Sequence, residues 1–204
     1  MDLKALYNLS YGVFILGTKN NGKINACITN TCIQVASSPT RFAVSLLNTN
    51  FTCAMLKESK KFLLSVLDKR CTFDVIRRFG YQSGKNTDKF YNFEYKTDSN
   101  GVPYIENCSC SVISCHVISM QDLGTHTLFI AELDDAFITS NEKPLTYADY
   151  QMNLKPKTSV SSERKIIGWR CKICGYEYMN PQLPSDYECP VCGHPAEDFE
   201  PIYE

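Results

Sequence analysis

No stretch of this chain is apolar for long enough to cross a bilayer, which takes about 20 residues as a helix. The opening residues, MDLKALYNLSYGVF, lack the basic segment and long apolar run of a secretory signal peptide. No lipidation motif is present, so no membrane attachment is expected. Excess charge of one sign is missing as well: the formal net charge is −1, which argues against a nucleic-acid partner. There is no G-x-G-x-x-G behind a strand and no Walker loop, so neither a Rossmann nor a P-loop nucleotide site is expected.

Cysteine, by contrast, is plentiful. Eleven cysteines in a chain without an export signal point to a reducing cytoplasm and to metal ligation rather than disulfides. The 204 residues suffice for one mid-sized domain and a small one, and 44% hydrophobic with 21% charged residues is ordinary for a globular protein. Charge is unevenly spread. Positions 166–204 hold two basic residues, Arg170 and Lys172, against seven acidic ones, a net −5 that leaves +4 for the rest. Such asymmetry suits weak electrostatic docking within the chain or to partners, and suits a plain solvated acidic surface equally well.

The long N-terminal part reads as mainly β. YGVFILGTK (11–19), KINACITNTCIQV (23–35), RFAVSLL (41–47), KKFLLSVL (60–67), CSCSVISCHVISM (108–120) and HTLFIAELDDAFIT (126–139) are rich in β-branched and aromatic residues. Asn-Gly in NNG (20–22) predicts a hairpin between the first two. The pattern predicts a barrel interrupted by a few short helices. One helix is expected over 48–59 with Thr49 or Asn50 as its cap, one over 72–80 from Thr72 to Gly80, and a helical turn around 144–151. Cys108 and Cys110 are expected on one face of a strand and Cys115 on the other. The polar stretch NLKPKTSVSSERK reads as a linker, giving domains at 1–152 and 166–204 with 153–165 between them.

The tail carries the strongest signal. Cys171 and Cys174, then Cys189 and Cys192, form two Cys-x-x-Cys pairs that supply four soft thiolates for a tetrahedral ion. Gly175 and Gly193, one residue past each pair, allow the positive φ such a knuckle requires. Zinc ribbons use similar knuckles, so spacing alone leaves zinc and iron open. Trp169, Tyr176, Tyr178, Tyr187 and Phe199 around the sulfurs favour iron, whose potential such burial tunes. His194 reads as a surface histidine, since four cysteines already fill the tetrahedron.

Trp169 ahead of the first cysteine, CGY at 174–176, Tyr178, NP at 180–181, CPVCG at 189–193 and Phe199 resemble rubredoxin. That resemblance implies one iron ion on four cysteines, cycling between ferric and ferrous. The gap between Cys174 and Cys189 is shorter than in free-standing rubredoxins and is similar to the short module of rubrerythrins.

Residues 25–67, FGYQSGKNTDKF (79–90) and GTHTLFIAEL (124–133) resemble the flavin reductase family, the FMN-binding split β-barrel that includes flavoredoxin. The resemblance implies non-covalent FMN and a homodimer. It places Asn25, Ala26, Cys27, Thr29, Asn30 and Thr31 along the flavin, and Asn48, Thr49, Asn50 and Thr52 at its phosphate. Ser83, Gly84 and Lys89 come from the loop, with Lys89 as countercharge, and His126 stands beside the ring or phosphate. A helix start with hydroxyl side chains suits a dianionic phosphate. The tryptophan that the family can carry near Thr31 has no counterpart, since the single tryptophan is Trp169.

The order of the two modules resembles the high-molecular-weight rubredoxin family, a flavin reductase domain fused to rubredoxin. This resemblance implies an NAD(P)H-dependent oxidoreductase with transient nicotinamide binding. Electrons would pass from FMN to the iron centre and on to a redox protein such as a flavodiiron oxygen or nitric oxide reductase. Two alternatives stay open: a flavin and iron carrier that oxidises no nicotinamide, and an FMN module with a zinc ribbon.

Overall fold

The structure, a computed structural model, describes residues 2–156 and 165–203. They fall into two compact units divided after Pro156. The expected linker at 153–165 lies mostly outside the described residues; Asn153 and Leu154 belong instead to a π-helical turn, Tyr150–Leu154.

The first unit is a split β-barrel built on a seven-stranded antiparallel sheet. Its strands are β1 (Phe14–Asn20), β2 (Lys23–Thr29), β3 (Cys32–Ser37), β4 (Thr40–Leu47), β5 (Lys61–Leu67), β8 (Ser109–Asp122) and β9 (His126–Ile138). They lie in the order β2-β1-β5-β8-β9-β4-β3. Two short strands, β6 (Lys96–Thr97) and β7 (Pro103–Tyr104), pair apart from it. The β1–β2 hairpin turns on Asn21 and Gly22 with φ of 48° and 77°, the doubly left-handed turn that Asn-Gly favours. The run 23–35, expected as one strand, is two: Asn30 and Thr31 break it, and β2 and β3 go to opposite edges of the sheet.

Helix α1 (Phe51–Ser59) starts from Asn50, whose side chain accepts from the Thr52 amide at 2.9 Å. Of the two expected caps, only Asn50 has this role. Helix α2 (Phe73–Gly80) begins after Thr72, which makes no side-chain cap bond. Helix α3 (Tyr147–Asp149) is a single turn with a capping box from Thr146 and Asp149, running into the π-helical turn.

β1 and β5 bury both faces, so they read as apolar runs rather than alternating strands. Ile15, Ala26, Leu67, Ile76 and Phe79 form one core with α2. Leu16, Cys27, Val44, Leu56, Phe62, Leu64 and Phe129 form a second against α1. Odd positions of β2 therefore face α1, and even ones face α2. Cys108 and Cys110, expected on one strand, are separated by the start of β8: Cys108 precedes it and its thiol meets that of Cys71, while the Cys110 thiol lies on the Val66 carbonyl. Cys115 lies in the second core.

The second unit is a three-stranded sheet, β11-β10-β12, of Glu177–Tyr178, Ile166–Cys171 and Phe199–Tyr203. Its hydrophobic cluster buries Cys171, Cys189 and Phe199, ringed by Trp169, Tyr176, Tyr178, Leu183 and Tyr187.

Candidate functional site

In the second unit the four thiols of Cys171, Cys174, Cys189 and Cys192 all lie within 4.8 Å of one another. Sγ–Sγ distances of 3.6 Å (Cys171 to Cys192) and 3.4 Å (Cys174 to Cys189) lie near the about 3.8 Å edge of a tetrahedron with ~2.3 Å metal–sulfur bonds. The two knuckles repeat one main-chain pattern. Gly175 N donates to Cys171 O at 2.9 Å, and Gly193 N donates to Cys189 O at 2.8 Å. Cys171 N bonds Tyr176 O at 2.7 Å, and Cys189 N bonds His194 O at 2.8 Å. Gly175 and Gly193 take φ of 80° and 70°, which a side chain would strain. Amides of Tyr176 and His194 point at the sulfurs of Cys174 and Cys192, the bonds that favour a thiolate. The first cysteine of each pair is buried and the second half-buried, so the cluster has one closed and one accessible side. His194 is held by its Nδ1 on Cys192 O at 3.2 Å and stands outside the cluster. This donor set fits a single iron ion.

In the first unit the expected flavin residues gather into two neighbouring groups beside α1. At its start, Asn25 Nδ2 donates to Thr52 Oγ1 at 2.9 Å. Gly84 comes so close that a Cβ there would stand 2.2 Å from Asn25 Oδ1, so the loop presses its backbone onto Asn25. The Ser83 hydroxyl accepts from the Lys85 amide at 3.3 Å. Cys27 is fully buried with its thiol against Thr52 and Asn50, and burial pushes its pKa up.

The second group lies along the ends of β3, β4 and β9. Thr31 Oγ1 donates to Ser45 O at 2.6 Å and meets Thr29 Oγ1 at 3.0 Å. Asn48 is anchored on three sides: its amide N donates to Thr125 O, its Nδ2 to Gly124 O, and its Oδ1 accepts from Thr127 Oγ1. His126 pairs across from Leu47 and meets the Thr125 hydroxyl at 2.8 Å. Partial burial lowers its pKa, favouring the neutral imidazole. Asn30 is half-buried between β2 and β3, and Thr49 is an exposed turn residue ahead of α1.

Lys89 belongs to neither group. Its Nζ donates to Ala26 O and to Phe79 O, each at 2.9 Å, in the interior between β2 and α2. The side chain is 3% exposed and burial lowers its pKa. The expected phosphate countercharge is thus a clamp between a strand and the end of a helix. The residue that sequence reasoning passed over is Lys23. Its Nζ lies 3.1 Å from Gly84 O and 4.8 Å from the centre of the Phe51 ring. The signal was available, because Lys23 is two residues before Asn25 on a strand and so shares its face. A helix start with no acidic residue in its first turn, a close-pressed glycine backbone, hydroxyls and a nearby ammonium fit a flavin phosphate.

Comparison with known proteins decides the family. The flavin reductase like domain matches residues 6–154, and the rubrerythrin, rubredoxin-like domain matches residues 169–200. The chain belongs to the flavin reductase family. High molecular weight rubredoxin of Moorella thermoacetica is 30% identical to this flavin reductase family member over 229 residues, covering 99% of this chain and all of the relative. The match runs through both units, so the chain also groups with the high-molecular-weight rubredoxins. Ferric-chelate reductase (NAD(P)H) of Archaeoglobus fulgidus is 40% identical over 158 residues, 78% of this chain and 94% of that protein. The solved flavin reductase PheA2 is 26% identical with a TM-score of 0.60, covering 72% of this chain and 93% of that one. A flavin and an iron ion on four cysteines are the cofactors of this pair of domains. No helix among the described residues is long and apolar enough to cross a membrane.

Proposed function

We propose that the chain is a cytoplasmic NAD(P)H-dependent oxidoreductase that passes electrons from FMN to a rubredoxin-type iron centre. The onward acceptor we propose is a redox protein of the flavodiiron oxygen or nitric oxide reductase type. The single observation that carries this reading is the convergence of Cys171, Cys174, Cys189 and Cys192 in a chain whose other unit is a flavin reductase barrel. FMN, when bound, accepts a hydride, and iron on four thiolates hands on single electrons.

The protein's own residues supply binding and environment. Asn25, Asn50, Thr52 and the Ser83–Gly84 turn hold the phosphate end. Thr29, Asn30, Thr31, Asn48 and His126 line the ring end, with a neutral imidazole that donates or accepts one proton. Ala26 and Cys27 form the wall behind, and Lys89 keeps that wall in register with α2. Nicotinamide reaches the ring without a dinucleotide fold of its own, a mode supported by the named cosubstrate of the Archaeoglobus relative. The four cysteine sulfurs hold the iron, and the half-buried pair, Cys174 and Cys192, gives the acceptor its approach.

A homodimer is part of the proposal. Ile33 and Val35 on edge strand β3 are 59% and 49% exposed, and Ile33 pairs with Ala43, which pairs with Ile130. This apolar stripe across three strands suits a second copy of the chain.

Anaerobic mixing of the purified protein with NADH and with NADPH tests the reading. Flavin absorbance is expected to bleach first, followed by loss of the ferric–thiolate band. No bleaching with either nucleotide removes the enzyme and leaves a carrier; a colourless, zinc-loaded tail removes the electron path.

A further inference from the structure

The countercharge expected of Lys89 has to come from elsewhere, and the structure offers one residue for it. We propose that Lys23 is the residue that makes the site select a phosphorylated flavin, its ammonium neutralising the phosphate at the start of α1. This rests on the FMN reading above and assigns the phosphate a cation that reading lacks.

Four observations converge. Lys23, Asn25, Cys27 and Thr29 alternate on the α1-facing side of β2, so the lysine heads the same row as the residues already gathered there. Its ammonium is fixed at both ends of the site, 3.1 Å from the carbonyl of Gly84 and 4.8 Å from the ring of Phe51, the first residue of α1. The carbonyl takes one of three donors, and the ring face attracts the charge without consuming any. The first turn of α1 contains no acidic residue, so nothing in the helix itself balances its positive end. Two other lysines near the site are committed elsewhere. Lys89 is buried against two carbonyls, and Lys57 donates to Asn48 Oδ1 from the last turn of α1.

A phosphate monoester near neutral pH carries almost two charges, so loss of one partner cation weakens binding of FMN but not of riboflavin, which has the same ring and ribityl chain and no phosphate. That difference separates phosphate recognition from any general damage to the fold. The experiment is a titration of the flavin-stripped full-length protein with FMN and with riboflavin, followed by flavin fluorescence. Wild type is expected to prefer FMN. Lys23→Gln is expected to weaken FMN tenfold or more, leave riboflavin within twofold, and flatten the salt dependence of FMN binding. Lys85→Gln, an exposed residue of the same loop, is expected to change neither. FMN binding unchanged in Lys23→Gln, or equal loss of both flavins, overturns the assignment while the FMN reading stands. A wild-type protein that takes up no FMN overturns both.

Discussion

The two units use the same residue type in opposite ways. Seven cysteines in the barrel unit are dispersed, most of them buried as small hydrophobes; burial pushes Cys32 and Cys115 up to about 12, where they stay protonated. In the tail unit four cysteines converge, and two of them are also two of the four buried residues described there. The barrel encloses Leu16, Leu56, Phe62, Leu64 and Phe129 in a core of packed side chains. The tail has little core apart from its metal cage. Burial of apolar area therefore stabilises the first unit, and ligation stabilises the second.

Metal removal probes that contrast most severely. Chelation, or Cys171→Ser with Cys189→Ser, is expected to unfold the tail, because ligation in small cysteine domains contributes about 10 kcal/mol or more to folding. Heteronuclear NMR of the full chain is expected to lose the dispersed tail signals and keep those of the barrel; a tail that stays ordered without metal breaks the comparison. The converse variant is Phe129→Ala, at a fully buried position. It is expected to cost about 3–5 kcal/mol in urea unfolding of the barrel while the visible spectrum of the iron centre stays as it was.

Smaller effects sharpen the account of the barrel. Gly17→Ala sets a Cβ 2.0 Å from the Pro103 carbonyl oxygen, where β1 passes under β7, and is expected to destabilise by about 1–3 kcal/mol. Asn50→Ala removes the α1 cap and is expected to cost about 1 kcal/mol in thermal unfolding, together with a weaker hold on FMN. The smallest effect is one of pH. The folded His126 releases its proton more readily than the unfolded chain, so its contribution is complete above the reference value of 6.5 and is lost as pH falls from there through the lower folded value. Melting of wild type against His126→Asn across that interval is expected to show a shallower fall for the variant.

Where spacing itself encodes geometry, the chain is readable without coordinates. Two Cys-x-x-Cys-Gly units describe two knuckles, and Asn-Gly describes a hairpin, because each demands a backbone few other residues adopt. Asn30 and Thr31 separate two strands without glycine or proline, and β-branched neighbours hide the break. The misplacement of Lys89 has a different cause. A lysine in a polar loop reads as solvated or anion-binding, and only tertiary packing turns it inward onto Ala26 and Phe79. The meeting of Cys71 with Cys108 joins positions far apart in the chain, which no local pattern announces.

The duplicated knuckle has a consequence for how freely this cage can change. Its positioning bonds come from main-chain groups, from Gly175 to Cys171, from Gly193 to Cys189 and from the Val191 amide to the Cys189 sulfur, while Lys172 also holds the Glu197 carbonyl through its Nζ. The side chains of Ile173, Pro190 and Val191 enter none of these bonds, so they can be exchanged to retune the outward surface while the ligands stay where they are.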